Sequence, residues 1–96
     1  MESFEAFRKR SIEAGADEVV ERRWNPGQIV EDHSHPFDAQ ALVTEGEMWL
    51  TCDGETRHLH PGDTFHIREG SLHSENYGPQ GATYWVARRS SSSRRG

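Results

Sequence analysis

Six histidines occur among the 96 residues, and the spacing of His33 and His35 suits metal chemistry. On a β-strand, alternate side chains point to the same side, so the two Cα atoms would lie about 6.5–7 Å apart. Two imidazoles placed in this way can bind one ion at N–metal distances of about 2.0–2.2 Å. The same spacing fits a solvated strand end equally well, because the acidic residues Glu31 and Asp32 precede it.

A third ligand would have to come from another strand, and His73 is the best candidate. It follows Gly70-Ser71 at the start of a predicted strand, where a turn can aim the ring inward. Three neutral imidazoles favour Zn, Fe, Cu, Ni or Co over Mg or Ca. They also leave coordination positions open for water or a small molecule.

The other histidines have weaker patterns. His58 and His60 form a second pair with one residue between them, but Pro61-Gly62 ends that strand. The sequence shows no third ligand nearby, so we expect this pair to have a surface role. His66 lies between two apolar residues and must face the opposite side from them. We expect it on an outer face.

No acid–base pair is evident from the sequence, and we therefore assign no catalytic residue. Glu45, Glu47 and Glu75 lie beside predicted turns, where carboxylates are usually solvated. The single cysteine, Cys52, has no predicted base and is expected to be a small apolar filler. One cysteine excludes an intrachain disulfide and fits a reducing, cytoplasmic compartment.

The elements that must position these residues are one helix and many short strands. A helix is predicted over residues 2–14, with Ser3 as its N-cap and Gly15 at its end. Short strand signals separated by turn residues follow, and they predict an all-β fold, a small antiparallel barrel or jelly roll. The predicted strands cover residues 19–24, 29–37, 40–44, 47–52, 55–59, 64–67, 72–76 and 82–87.

Turn and tail signals define the expected organisation. Asp53-Gly54 is the strongest hairpin signal, and the run from Gly78 to Gly81 predicts a turn between the last two strands. We expect an N-terminal helix (1–16) packed on a barrel (17–88). A disordered tail (89–96) is expected to follow, because the serine- and arginine-rich end is of low complexity.

The composition restricts the partners. Asp plus Glu number 16 against 11 Lys plus Arg, a formal charge of −5, which argues against nucleic acid or an anionic membrane as a partner. No apolar run approaches the roughly 20 residues of a membrane helix. Leu, Ile, Val and Phe together are only 16 of the 96 residues. Since so thin a core gains from further burial, we expect a homodimer.

The glycine and histidine spacing resembles the cupin superfamily, specifically the small single-domain cupins. The first cupin motif is Gly, five residues, His-x-His, three or four residues, Glu, six residues and Gly. This chain has, at those separations, Gly27, His33-Ser34-His35, Ala39 and Gly46.

The second cupin motif is Gly, five residues, Pro-x-Gly, two residues, His, three residues and Asn. The chain has, at those separations, Gly62, Arg68-Glu69-Gly70, His73 and Tyr77. The glycines and histidines match, whereas the Glu, Pro and Asn of the family are replaced. The resemblance spans residues 27–77, over half of the chain.

The resemblance implies a β-barrel that holds one divalent transition metal (Fe, Zn, Ni, Co, Cu or Mn) on His33, His35 and His73. The glutamate ligand of the family is missing, since Ala39 or Gln40 occupies its position. Counting in steps of two from His35 turns Ala39 inward and Gln40 outward, unless a bulge intervenes. We therefore predict a three-histidine site with Gln40 as a weak fourth ligand.

Cupins resemble one another in fold far more than in activity, so the fold does not select the function. Some cupin dioxygenases have a similar three-histidine set, which implies a metal-dependent oxygenase acting on a small molecule. The alternative is a non-catalytic metal or small-ligand binding module, like the sensor half of some bacterial regulators. A third hypothesis is a structural barrel without metal.

Overall fold

The computed structural model describes residues 1–91, which form one helix and six antiparallel strands. The elements are α1 (Phe4–Glu13), β1 (Glu18–Trp24), β2 (Ile29–His33), β3 (Asp38–Cys52), β4 (Glu55–Leu59), β5 (Thr64–Ile67) and β6 (His73–Arg89). The strands β1, β6, β3 and β4 are neighbours in that order, while β2 pairs with β6 and β5 with β3. The predicted all-β barrel or jelly roll with a short N-terminal helix is confirmed, with a sheet that is not closed.

Helix α1 covers the outer face of the sheet. It begins after Ser3, whose Oγ accepts the backbone N–H of Ala6 at 3.1 Å, as predicted for its N-cap. Phe7 is buried in a cluster with Leu42 and Trp85, and its ring centroid lies 5.8 Å from that of Trp85. Burial of such a ring stabilises the fold by about 1.5–3 kcal/mol, which holds the helix on β3 and β6. No helix within residues 1–91 is long and apolar enough to cross a membrane.

Strands β3 and β6 are longer than the sequence predicts. The predicted turn from Gly78 to Gly81 is wrong, and the strands predicted at 40–44 and 47–52 are one strand. The reason lies at Gly46 and Gly81, which have φ values of +72° and +73°. A Cβ on Gly46 would lie 2.0 Å from the Gly81 carbonyl oxygen, and the register shifts there. These glycines bend two paired strands together and do not end them.

The segment after β2 also differs from its predicted conformation. The predicted strand over 29–37 ends at His33, and the chain then leaves the sheet. The carbonyl of His35 accepts the N–H of Gly70 at 2.9 Å, so the loop before β6 holds this segment. The predicted hairpin at Asp53-Gly54 is present, with φ values of +53° and +77° that fit a type I′ turn.

The inner core lies between the two halves of the folded sheet. Along β3 the residues Ala39, Ala41 and Val43 face inward, and Gln40 and Leu42 therefore face outward. The other buried members of this core are Met48, Leu50, Leu59, Phe65, Ile67, Tyr77, Ala82, Tyr84 and Val86.

The C-terminal end of the described chain is held on the sheet. Arg89, in the predicted tail, pairs with Asp38 at the end of β6. The backbone N–H of Ser90 donates to Asp17 Oδ2 at 2.8 Å. Residues 92–96 of the predicted tail lie outside the described residues.

Candidate metal centre

Three histidines converge at one end of the inner core. His33 ends β2, His35 follows it, and His73 begins β6 directly opposite His33 in the sheet register. One ring nitrogen from each lies within 4.8 Å of the other two. The structure therefore brings together the three residues that the sequence predicted as metal ligands, although metal binding itself stays a prediction.

The hydrogen bonds of two rings fix which nitrogen carries the proton. Nδ1 of His33 lies 2.8 Å from the carbonyl of Glu31, and Nδ1 of His73 lies 3.0 Å from the carbonyl of Ser71. A carbonyl oxygen only accepts, so each Nδ1 must be the donor. In the neutral rings, Nε2 of each is then a bare lone pair, which is the form of imidazole that binds metals.

A buried carboxylate faces these lone pairs. Oε2 of Glu75 lies 3.4 Å from Nε2 of His33 and 3.8 Å from Nε2 of His73. Lone pairs at such distances repel one another unless a cation, either a metal ion or added protons, lies among them. A metal ion held by the three rings would lie close to this carboxylate and would relieve the repulsion.

His35 completes the group. Its Nδ1 is buried and has no hydrogen-bond partner among residues 1–91, which is unusual for a buried polar atom. Burial, followed by the neighbouring His73 and His33 rings, lowers the pKa of His35 to about 4. The ring therefore stays neutral near pH 7 and is available as a ligand. An unpartnered nitrogen and a donor set of imidazoles fit a divalent transition metal.

Glu75 is a site residue that the sequence analysis missed. Its expected solvated position is wrong, because the residue is only 4% exposed. Tyr77 donates its hydroxyl hydrogen to Oε1 at 2.5 Å, and Tyr84 donates to the same oxygen at 3.5 Å. The signal was available in the sequence: Glu75 and Tyr77 follow His73 in steps of two, so an inward His73 requires all three to face inward.

The two tyrosines keep their protons. Burial raises the pKa of Tyr77 far above its usual value, and the nearby Tyr84 and the Glu75 carboxylate raise it further. Burial and the charge of Glu75 also raise the pKa of Tyr84 to about 12. Both hydroxyls are therefore donors to Glu75 throughout the physiological pH range.

Gln40 lies apart from the three rings. It faces outward on β3, is exposed, and pairs with His66 on β5 and Ala87 on β6. No bulge turns it inward, so the structure does not bring this predicted fourth ligand to the centre. Ala39 does face the histidine cavity but carries no donor atom. His66 lies on the outer face, as expected.

The cavity at the histidines has a volume of about 260 Å³. Its wall is apolar, and two cations, Arg22 and Arg88, also line it. The Arg22 guanidinium lies 4.7 Å from the centre of the Trp24 ring, and that of Arg88 lies 5.0 Å from the centre of the Phe37 ring. The cavity therefore combines apolar residues with two arginines and the Glu75 carboxylate, and Arg88 is also paired with Glu18 at 2.8 Å.

A second, larger cavity of about 450 Å³ lies on the outer face, between α1 and the sheet. It is lined by residues such as Phe7, Gln40 and His66 and includes none of the three converging histidines. Size alone therefore does not identify the site, whereas the convergence of ligand atoms does.

The fold and the motif spacing can be compared with known proteins. A family model described as "Cupin domain" matches residues 20–86. The chain belongs to the cupin family. The resemblance stated from the glycine and histidine spacing is thus confirmed. The comparison with curated proteins gives no match.

Solved structures share the fold of this cupin. A protein of unknown function from Rhizobium leguminosarum is 27% identical, with a TM-score of 0.66 over 72% of this chain and 66% of its own. An RmlC-like cupin from Shewanella frigidimarina is 24% identical, with a TM-score of 0.66 over 73% of this chain and 62% of its own. A structure described as that of DMSP lyases is 20% identical, with a TM-score of 0.71 over 76% of this chain and 38% of its own. The chain thus spans less than two thirds of the length of these structures.

Proposed function

We propose that this cupin is a metal-dependent enzyme that removes a proton from a carbon atom of a small molecule bearing a carboxylate. His33, His35 and His73 would hold one divalent transition metal, with Glu75 beside it. The observation that carries the proposal is the pair of bare Nε2 atoms, on His33 and His73, that face the Glu75 carboxylate at 3.4 and 3.8 Å. A bound metal would polarise an oxygen of the substrate and so acidify a neighbouring C–H group.

Glu75 is the proton acceptor in this proposal. Its carboxylate is buried against the ligand group, and the hydroxyl groups of Tyr77 and Tyr84 hold it through Oε1. Oε2 is thereby left to face the cavity and accept the proton from carbon. General bases of this kind contribute about 10²- to 10⁴-fold to a rate.

Substrate binding is assigned to the cations and the apolar wall. Arg22 and Arg88 line the cavity, and the buried Nε of Arg88 has no hydrogen-bond partner among the described residues. Although another nitrogen of this guanidinium is paired with Glu18 at 2.8 Å, its Nε–H remains to donate to a substrate carboxylate. A cavity of about 260 Å³ admits only a small molecule.

The second candidate function is the oxygenase implied by the three-histidine set. It is favoured by Ala39, which stands where the family carries its glutamate ligand and leaves more of the coordination sphere to substrate and O₂. A non-catalytic metal or small-ligand binding module is the remaining alternative. The likeness to DMSP lyases shows the fold alone, so the preference for proton transfer rests on Glu75.

One experiment separates these functions. The protein would be purified without a His-tag or chelator, its metals measured, and turnover followed on a panel of small carboxylic acids with and without O₂. Turnover that persists without O₂ and is lost in Glu75→Gln supports the proposal. Stoichiometric O₂ uptake would identify an oxygenase, and bound metal without turnover on any acid would identify a binding module.

The proposal also covers the oligomeric state, the cellular location and the partners of the chain. We propose that the chain forms a homodimer in the cytoplasm, binds a small molecule, and has neither nucleic acid nor a membrane as a partner. The thin core and the acidic charge balance support this. Light scattering at micromolar concentration checks the dimer, and a monomeric mass would contradict it.

A further inference from the structure

A second group of ligand-type residues lies on the outer face of the sheet. Glu47 belongs to β3, His58 to β4, and His60 follows β4 directly. Their neighbours Met48 and Leu59 face the core and are fully buried, so these three side chains point the opposite way. One ligand atom from each lies within 4.8 Å of the other two. The group is thus on the other side of the sheet from the inner three histidines.

The His58 ring is held by two contacts. It stacks on Trp49 with ring centroids 4.3 Å apart and planes at 4°. Its Nε2 lies 2.7 Å from Oε2 of Glu47. Glu47 in turn lies against Gly78, where an added Cβ would come within 2.5 Å of the Glu47 Cγ. The carboxylate and the ring are therefore packed in place before any ligand arrives.

The His60 ring lies between two carboxylates. Nε2 lies 3.9 Å from Oε2 of Glu47, and Nδ1 lies 3.7 Å from Oδ2 of Asp63. The same Asp63 oxygen accepts the backbone N–H of His60 at 2.8 Å, which fixes the carboxylate. At 3.7 Å the Asp63 carboxylate is too far from the ring for a hydrogen bond, so it places negative charge beside His60 without fixing the tautomer of the ring.

We propose that Glu47, His58 and His60 form a second site for a divalent transition metal, with Zn²⁺ as the representative ion. Two imidazoles and one carboxylate are a common Zn²⁺ ligand set and leave one position for water. For the metal to bind, the Nε2 proton of His58 passes to solvent and Nδ1 of the neutral ring carries the hydrogen instead, so that Nε2 of His58 and Oε2 of Glu47 can both bind the ion. This site is independent of the function proposed for the inner histidines.

The sequence analysis expected only a surface role for His58 and His60, because no third ligand lay nearby in the chain. The third ligand is brought from eleven residues away by the pairing of β3 with β4. The side chains of His58 and His60 are 40% and 55% exposed. We therefore expect the site to exchange metal with solvent readily.

The test is a Zn²⁺ titration of the metal-free 96-residue chain by calorimetry, with Co²⁺ absorption as a second readout. The double variant H58A/H60A should bind one equivalent fewer than the wild type, and Glu47→Gln should weaken that equivalent at least tenfold. His66→Ala, which removes another outer-face histidine, is the matched control and should bind as the wild type does.

The proposal is overturned if H58A/H60A binds as many equivalents of Zn²⁺ as the wild type, or if His66→Ala loses the same equivalent. Because His58, His60 and His66 are exposed and Glu47→Gln keeps the shape of its half-buried side chain, circular dichroism should show an unchanged fold. If the inner histidines bind no metal, the missing equivalent of Zn²⁺ is the one that H58A/H60A would otherwise still bind. The two proposals therefore fail separately.

Discussion

Nε2 of His33 on β2 lies 3.4 Å from Oε2 of Glu75 on β6, and neither atom carries a hydrogen when the ring is neutral. The backbone carbonyl of Glu31 fixes the tautomer of the ring, and the two tyrosines fix the carboxylate. The protein thus holds a bare imidazole nitrogen against a buried carboxylate oxygen, a repulsion that a cation bound by the rings would relieve. This pair is the physical basis for proposing a metal centre there.

Metal binding should stabilise the protein through the inner histidines. A metal at 100 times its Kd raises the free energy of unfolding by about 2.7 kcal/mol, provided that it binds only the folded state. In the variant H33A, the shift in Tm on adding metal should fall sharply, since one ligand is removed. Thermal unfolding of each protein with and without Zn²⁺ measures this. Equal shifts in H33A and the wild type would exclude His33 as a ligand.

Glu75→Gln should remove turnover and leave the fold intact. The amide oxygen can still accept from Tyr77 and Tyr84, but it cannot take a proton from carbon. We expect kcat to fall by about 10²- to 10⁴-fold, with a smaller change in KM. Steady-state kinetics on the substrate found in the acid panel measure this. Glu55→Gln, at an exposed carboxylate in β4, is the control and should retain full activity.

Much of the candidate centre could be predicted from the sequence, because period-two alternation is local. It separates Ala39 from Gln40 on β3, as the structure shows. The rings of His33 and His35 converge as predicted, although the strand ends at His33 and the loop before β6 holds the segment that follows. Glu75 was missed because it was assigned to a turn region, although the alternation from His73 places it inward. The two-residue alternation from His73 was visible in the sequence, but Glu75 was assigned to solvent because carboxylates usually face solvent.

The rest of the fold depends on contacts between distant residues. The Asp53-Gly54 turn is local and was predicted, whereas the continuity of β3 and β6 depends on Gly46 meeting Gly81 across the sheet. Likewise, Glu47 reaches His58 only through strand pairing. No local pattern reports such an approach, since it is set by which strands become neighbours.

Gly46→Ala should destabilise the fold strongly. An added Cβ would lie 2.0 Å from the backbone oxygen of Gly81, at a φ of +72° that side chains rarely adopt. We expect a loss of more than about 2 kcal/mol in the free energy of unfolding from strain and overpacking together. Gly27→Ala is the control, because its φ is +67° but nothing lies within 4 Å of the added Cβ. It should cost only about 1–2 kcal/mol in urea unfolding. Equal losses would contradict the close approach of β3 and β6.

The contact between Glu21 and Trp85 should give a pH-dependent contribution to stability. The indole Nε1–H donates to Oε2 of Glu21 at 3.1 Å, and this bond, with Arg23, lowers the pKa of Glu21 below its usual 4.5. A lowered carboxyl pKa means that the unfolded state binds the proton first as the pH falls. The contribution is therefore complete above pH 4.5 and is lost as the pH falls through the lowered pKa.

The Trp85 indole N–H resonance reports this titration directly. It should shift with a midpoint below pH 4.5 in the wild type and show no such titration in Glu21→Gln. A midpoint at or above 4.5 would show that the hydrogen bond does not stabilise the carboxylate.

The most direct test of the metal centre is a crystal structure of protein purified without a His-tag or chelator, with diffraction recorded at the absorption edge of the metal found in it. We predict an anomalous peak about 2.0–2.2 Å from the Nε2 atoms of His33 and His73, beside Glu75. Metal-replete protein with no peak among His33, His35 and His73 would contradict it.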